Sequence, residues 1–344
     1  MQTLLLPFFV AAILSLVFTP FVRKWSMKVG LVDIPKDERR IHKTPIPLGG
    51  GLAIYLSLVL TFFIFMPLTK ENMSFLIGST IIVATGLYDD KYNMSPKAKF
   101  LMQILAALAL IIGGVRIDFF TNPFYGREPL IYLELLSIPI TMFWVVGITN
   151  TINLIDGLDG LACGISGIAS ISLMFVAFRY QNMGMAILAS ILSGSCLGFL
   201  PFNFNPAKIF MGDTGALLLG FGLSFLTIEG AMKSVAIIAI FIPVLILGVP
   251  IFDTAFAMIR RRLSGKSIAQ ADRGHLHHRL LYSGLSQRQT VISLYGISIL
   301  FGIIGNIISK LHAQNALIVS IIIIAFVGFL AIVFGLFRER EDDN

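Results

Sequence analysis

Charge is what this sequence has least of. Only 13% of its 344 residues are Asp, Glu, Lys or Arg, against 56% hydrophobic residues, whereas about a quarter of a soluble domain is charged. With a mean hydropathy of +0.86, that shortage excludes a soluble globular chain and predicts an all-α polytopic membrane protein. Cysteine is nearly absent too. Cys163 and Cys196 lie in apolar runs without a metal-binding spacing and are expected to be two buried thiols. No internal repeat or low-complexity segment is evident, and Met1–Val22 lacks both a basic start and a small-residue cleavage site. It reads as a retained membrane helix rather than a signal peptide.

What the sequence has in quantity is apolar runs long enough to span a bilayer. They lie near 3–22, 48–67, 74–88, 98–115, 134–150, 161–179, 184–200, 214–229, 235–258, 290–309 and 316–337, about 11 transmembrane helices. Pro243 and Pro250 should kink or break the ninth. Threading the chain through these runs puts 20 of its 26 Lys and Arg on one side and six on the other. The basic-rich side is therefore expected to be cytoplasmic, with the N-terminus outside and the C-terminus cytoplasmic. The expectation is one integral membrane domain, 1–344, whose active-site loops 23–47, 89–98, 150–160, 201–213 and 259–289 share the cytoplasmic face.

All the unusual polar motifs fall in those loops. Asn150–Ala162 holds Asn153, Asp156 and Asp159 at spacings of three, so a helical turn would bring them near one face. Carboxylates at a membrane boundary are costly without a cation or partner, which reads as one wall of a metal–phosphate site. Asp89 and Asp90 end the third run. Adjacent carboxylates repel and are at ease only where a cation or proton offsets the repulsion. Between the seventh and eighth runs, Asp213 sits between glycines just before an apolar helix. It reads either as an N-cap or as a ligand for Mg²⁺, which takes a few carboxylates plus phosphate oxygens and water. In the same stretch Asn203 and Phe210 suit a planar base, one by hydrogen bonds and one by stacking.

The longest of these loops carries Asp272-Arg273-Gly274-His275-Leu276-His277-His278-Arg279. Three histidines within four residues suggest zinc, but there is no companion Cys pair and no His-Glu-x-x-His pattern. Arginine with partly protonated histidine reads better as a diphosphate clamp. Arg39-Arg40-Ile41-His42-Lys43 leads into Pro45, Pro47 and Gly49–Gly51. Its basic half suits phosphate or lipid headgroups, and its Pro/Gly half lets the chain re-enter the membrane. Clustered Asp, Asn, His and Arg on one membrane face suit a phosphorylated substrate, a divalent ion and a lipid partner, and phosphoryl transfer asks mostly for positioning and charge neutralisation.

Taken in order, His42–Gly51, Asp89-Asp90, Asn153–Ala162, Asn203–Gly215 and His275–His278 resemble the motifs of the polyprenyl-phosphate N-acetylhexosamine-1-phosphate transferases across about residues 20–285. The His-x-His-His form looks like the WecA/TagO branch rather than the triple histidine of the MraY branch. Lys91 stands where a third Asp often follows the pair. The resemblance implies transfer of GlcNAc-1-phosphate from UDP-GlcNAc to undecaprenyl or another polyprenyl phosphate, releasing UMP and starting a cell-envelope polymer such as teichoic acid or O-antigen. It implies Mg²⁺, with Mn²⁺ as a substitute, and a multi-pass enzyme of the bacterial plasma membrane with no nucleic-acid partner.

By motif position, the resemblance makes Asp213 the principal metal ligand, joined by Asp156. Asp89 is the base or orienting group for the lipid phosphate, with Asp90 beside it, and Asp156 and His275 complete the catalytic set. Asn153, Asn203, Phe210, Lys99, His42, Arg273, His277 and His278 are its substrate-binding positions. The sister activity on a MurNAc-pentapeptide donor is the alternative, and a homodimer is left open because the sequence gives no oligomeric state. A transporter should show charges near mid-span and half-chain repeats, and this sequence has neither.

Overall fold

The computed structural model describes residues 2–34, 45–121, 130–232, 240–267 and 274–337. Each predicted apolar run is mainly helical over its described residues. In chain order the helices are α1 (Gln2–Lys28), α2 (Gly51–Phe65), α3 (Lys70–Tyr92), α4 (Pro96–Ile112), α5 (Ser137–Ile155), α6 (Leu161–Arg179), α7 (Met183–Asn203), α8 (Gly212–Thr227), α9 (Phe241–Ile246), α10 (Gly248–Leu263), α11 (Leu276–Tyr282), α12 (Gln287–Ile308) and α13 (Ala313–Val333). Two antiparallel hairpins are added: β1 (Val32–Asp33) with β2 (Ile46–Pro47), and β3 (Phe119–Thr121) with β4 (Leu130–Tyr132).

Local sequence sets the helix starts. The Thr69 hydroxyl accepts from the Asn72 N–H at 3.3 Å to begin α3. Ser95 does the same for Ala98 at 3.3 Å, with Pro96 in the first turn of α4 where a missing N–H costs nothing. Ser286 and Gln289 cap α12 reciprocally. The ninth run is broken at Leu247 into α9 and α10, with Pro243 and Pro250 in their opening turns.

The chain is a polytopic α-helical membrane protein. Seven helical stretches among the described residues are long and apolar enough to cross a bilayer, namely 3–28, 134–155, 161–179, 183–203, 212–231, 287–308 and 314–333. The expected eleven are not all of that kind. Helices α2 and α4 have 15 and 17 residues, the ninth run is split, and α3 carries Lys70, Glu71, Asp89, Asp90 and Lys91 in its end turns. Cys163 and Cys196 are buried free thiols, as expected.

Helix α8 is the axis of the bundle. It is buried along almost its whole length, while α13 is mostly exposed, and it packs against α2, α3, α5 and α6. Phe75 of α3 stacks on Phe221 and Phe225 of α8 at centroid distances of 6.0 and 4.7 Å. At the start of α8 the contact is backbone on backbone: a side chain at Gly86 would overlap Thr214. This close seating brings the end of α3 against the first turn of α8, and the site is built there.

Candidate active site

The first turn of α8 offers unpaired N–H groups, and a residue from another helix satisfies them. Asp90, at the end of α3, accepts from the Asp213 N–H at 2.8 Å, the Thr214 N–H at 3.3 Å and the Thr214 hydroxyl at 2.6 Å. Gly212 makes room. Its φ of +70° lies in the left-handed region, and a Cβ there would overlap the Asp90 carboxylate. Asp213 makes no side-chain cap of α8, so the capping alternative for it falls. Its carboxylate instead pairs with the Lys99 ammonium, which also meets Asp89 Oδ2 at 2.5 Å. The other Asp89 oxygen accepts from the Met94 N–H at 2.6 Å. A single ammonium thus lies between two carboxylates from α3 and α8.

Helix α5 ends at Ile155, and Asp156 leaves it with φ −76° and ψ 52°. Asn153, Asp156 and Asp159 therefore do not share a helical face, contrary to expectation. Asn153 stands in the last turn of α5, Asp156 and Asp159 in the turn that follows it, and all three still line one cavity. Asp159 Oδ2 accepts from the Asn205 side chain and the Ala207 N–H, both at 3.0 Å, holding the loop after α7 in place. The Asp156 carboxylate makes no hydrogen bond or ion pair among the described residues. Burial and the nearby Asp213, Asp90 and Asp159 push it up to about 8.

The loop after α7 closes the cavity. The Phe210 N–H donates to Pro47 O at 2.8 Å, and Phe210 O accepts from Gly50 at 2.9 Å, so the Pro/Gly segment docks on this loop as it enters α2. Asn203 donates its amide to Ile209 O at 3.1 Å, while its Oδ1 is buried with no hydrogen-bond partner among the described residues. The cavity is about 640 Å³, and Asp90, Asn153, Asp156, Asn203, Phe210, Asp213 and His278 all face it.

Among the described residues no group of three or more His, Cys, Asp or Glu could hold a metal alone. Two carboxylates, Asp156 and Asp213, nevertheless face one cavity, and among the described residues Asp156 has no cation of its own. That donor set fits Mg²⁺, which is commonly held by one or two carboxylates plus substrate phosphates and water.

Residues 72–231 match glycosyl transferase family 4. The probable undecaprenyl-phosphate N-acetylglucosaminyl 1-phosphate transferase of Bacillus subtilis is 40% identical over 341 residues, 99% of this chain and 94% of the relative. The chain belongs to glycosyl transferase family 4. A decaprenyl-phosphate N-acetylglucosaminephosphotransferase of Mycobacterium tuberculosis is 33% identical over 96% of this chain and 89% of its own length. The phospho-N-acetylmuramoyl-pentapeptide-transferase of Bacillus mycoides is 30% identical over 87% and 94%.

The family 4 segment holds the carboxylates, Lys99, the two asparagines and Phe210; the histidines lie beyond it, and the structure corrects their placing. His275 does not face the cavity. It is buried, and its Nδ1–H donates to Asp253 Oδ2 at 2.8 Å, while Asp253 Oδ1 accepts from the Leu276 N–H at 2.7 Å. His277 is buried too, packed under the 156–158 turn so closely that a side chain at Gly157 would overlap it. Burial and the neighbouring His278 push its pKa down to about 3, so it is a neutral imidazole rather than part of a cationic clamp. Of these three histidines, His278 alone lines the cavity. Arg279 is also turned away: with Arg260 it donates to the carbonyls of Gly335 and Leu336 at the end of α13. His42 and Arg273 lie outside the described residues.

Two residues of the cavity, and one that supports it from outside, carried no sequence motif. Asp33 and Gln287 line the cavity, and Asp253 fixes the start of α11. Asp253 had a readable signal, since a carboxylate within the ninth apolar run needs a partner.

Proposed function

We propose that this family 4 enzyme transfers GlcNAc-1-phosphate from UDP-GlcNAc to a polyprenyl phosphate, with Mg²⁺, at the cytoplasmic face of a bacterial plasma membrane. The observation that carries the reading is the Asp89–Lys99–Asp213 cluster, whose Asp213 faces a cavity at one end of the bundle together with Asp156, a carboxylate without a partner among the described residues. The names of the relatives supply the donor and acceptor classes. The 20:6 division of basic residues supports the cytoplasmic assignment.

Asp213 and Asp156 would hold the metal. When bound, Mg²⁺ neutralises diphosphate charge and polarises phosphoryl oxygens. The chain's own residues do the rest. Asn203 Oδ1 accepts the imide N–H of a uracil, and Phe210 offers its ring face. Lys99 neutralises phosphate oxygens as the substrate enters. Asp89, with both oxygens already engaged, is better suited to orient Lys99 and the acceptor phosphate than to take a proton. A monoester phosphate is already mostly dianionic above about pH 6. One of its oxygens attacks the β-phosphorus, the bond from that phosphorus to the bridging oxygen breaks, and UMP leaves with the bonding pair. The product keeps both phosphates between lipid and sugar.

The test is purified protein with Mg²⁺, polyprenyl phosphate and either UDP-GlcNAc or UDP-MurNAc-pentapeptide. UMP and a lipid-diphosphate-GlcNAc are expected from the first donor alone. Release of UDP, or turnover only with the second donor, would overturn the assignment.

A further inference from the structure

We infer that a groove between α6 and α12, remote from the catalytic cavity, is a binding site for an anionic phospholipid. Its acyl chain would lie against the groove's apolar walls and its headgroup phosphate between Arg179 and Lys310.

The two helices run in the same direction. Near their starts the Tyr295 hydroxyl donates to Gly160 O at 2.5 Å, and farther along the Asn306 amide donates to Ser172 O at 3.1 Å. Arg179 ends α6 and Lys310 follows α12, so both cations stand at the same end. From Gly160, at the catalytic end, to Arg179 is about 29 Å of helix.

The groove encloses about 1080 Å³. One wall runs from Ile168 to Arg179 and the other from Ile299 to Lys310. Each wall is therefore about 16 Å long, half the ~30 Å hydrocarbon core of a bilayer. A partner helix would seek a seam along the whole span. A trench one leaflet deep fits an acyl chain.

The chemistry at its end agrees. Phe175, Ile303 and Ile307 are exposed in the walls. Two polar side chains of the walls are satisfied internally: Ser172 donates to Ile168 O at 3.0 Å, and Asn306 to Ser172 O and Gly302 O. Arg179 and Lys310 are exposed and make no ion pair or hydrogen bond through their side chains among the described residues. Two unneutralised cations closing an apolar trench at headgroup height complement a phosphate that carries net charge, as in phosphatidylglycerol, better than a zwitterionic headgroup. The site is independent of the transferase reading.

The test uses the full chain in phosphatidylcholine vesicles containing a trace of phosphatidylglycerol with a photoactivatable acyl chain, and in parallel a phosphatidylcholine probe. Crosslinks of the phosphatidylglycerol probe to the Ile168–Arg179 and Ile299–Lys310 segments are expected to exceed those of the phosphatidylcholine probe. The Arg179→Gln/Lys310→Gln variant should lower phosphatidylglycerol labelling about twenty-five-fold, a factor of about five per cation. Arg179→Lys/Lys310→Arg should restore it. Equal labelling by both probes, or labelling unchanged in the neutral variant, would overturn the site. So would protection of the groove that grows with protein density, since a second copy would then be the occupant.

Discussion

Replacing Asp90 by Asn distinguishes a catalytic carboxylate from one that holds the site together. Asp90 accepts from the Asp213 N–H, the Thr214 hydroxyl and the Thr214 N–H at 2.8, 2.6 and 3.3 Å. An Asn keeps one acceptor oxygen and turns the other position into a donor. Its least costly rotamer aims the NH₂ at the longest contact, because the Thr214 hydroxyl can rotate to accept. Losing a charge at a partly buried helix N-terminus costs about 1 kcal/mol. Turning two charge-assisted bonds into neutral ones costs about 0.5–1 kcal/mol each. The expected loss of folding stability is therefore about 2–3 kcal/mol, read by reversible detergent-induced unfolding. Turnover falls as well, because the carboxylate of Asp213 is carried on the same turn. Gly212→Ala injures the same contact from the other side, through its φ of +70° and the overlap with Asp90. The two changes combined should cost less than their sum. Asp90→Asn protein with wild-type stability and reduced turnover would refute the capping role and return Asp90 to the chemistry.

Phe210→Ala should raise the KM for the UDP-sugar by the worth of one stack, about 1–3 kcal/mol, leaving lipid-phosphate dependence nearly unchanged; an unchanged donor KM would mean that the ring touches no base. Asp253→Ala removes one partner of the buried Asp253–His275 pair, and such a change costs about 3–5 kcal/mol. Unfolding measurements should show that loss, and Asp253→Glu should recover part of it; wild-type stability of Asp253→Ala would dismiss the anchoring of α11. The Asp156 carboxyl stands at about 8 without metal, so it holds a proton at neutral pH that a cation must displace. Divalent affinity should therefore rise at least about tenfold per unit from pH 6 toward 8 and level off above. Affinity that is flat across that range, measured by calorimetry, would show that Asp156 does not take part.

Much of the site was legible because its residues are expensive where they stand. Asp89, Asp90, Asp156 and Asp213 end or begin apolar runs, and Asn203 and Phe210 sit in the short loop between two of them. Burial of such groups needs partners, and all of these residues but Asp89, which meets Lys99 beside it, line one cavity. The division of labour inside the pair was not legible. Asp89 meets Lys99 while Asp90 caps α8, a distinction that depends on how closely Gly86 lets α3 approach Thr214. Nor did the spacing of the histidines reveal which way each ring turns. That depends on Asp253, a single carboxylate more than twenty positions earlier, and on the small volume left at Gly157. Among the helices, α3 runs past its apolar stretch because its end turns are held by Thr69 and by Asp89 O, which accepts from the Asn93 N–H at 2.9 Å. Hydrophobic periodicity does not register such contacts.

The site is best tested by direct cation binding, without turnover. Mn²⁺ titrated into the purified protein and followed by electron paramagnetic resonance should report one site that tightens when UDP-GlcNAc is added. Asp213→Asn should weaken it at least about tenfold, since it removes one of the few charges the ion meets. Equal Mn²⁺ binding by wild-type and Asp213→Asn protein, with no response to UDP-GlcNAc, would contradict a metal–phosphate site between Asp213 and Asp156.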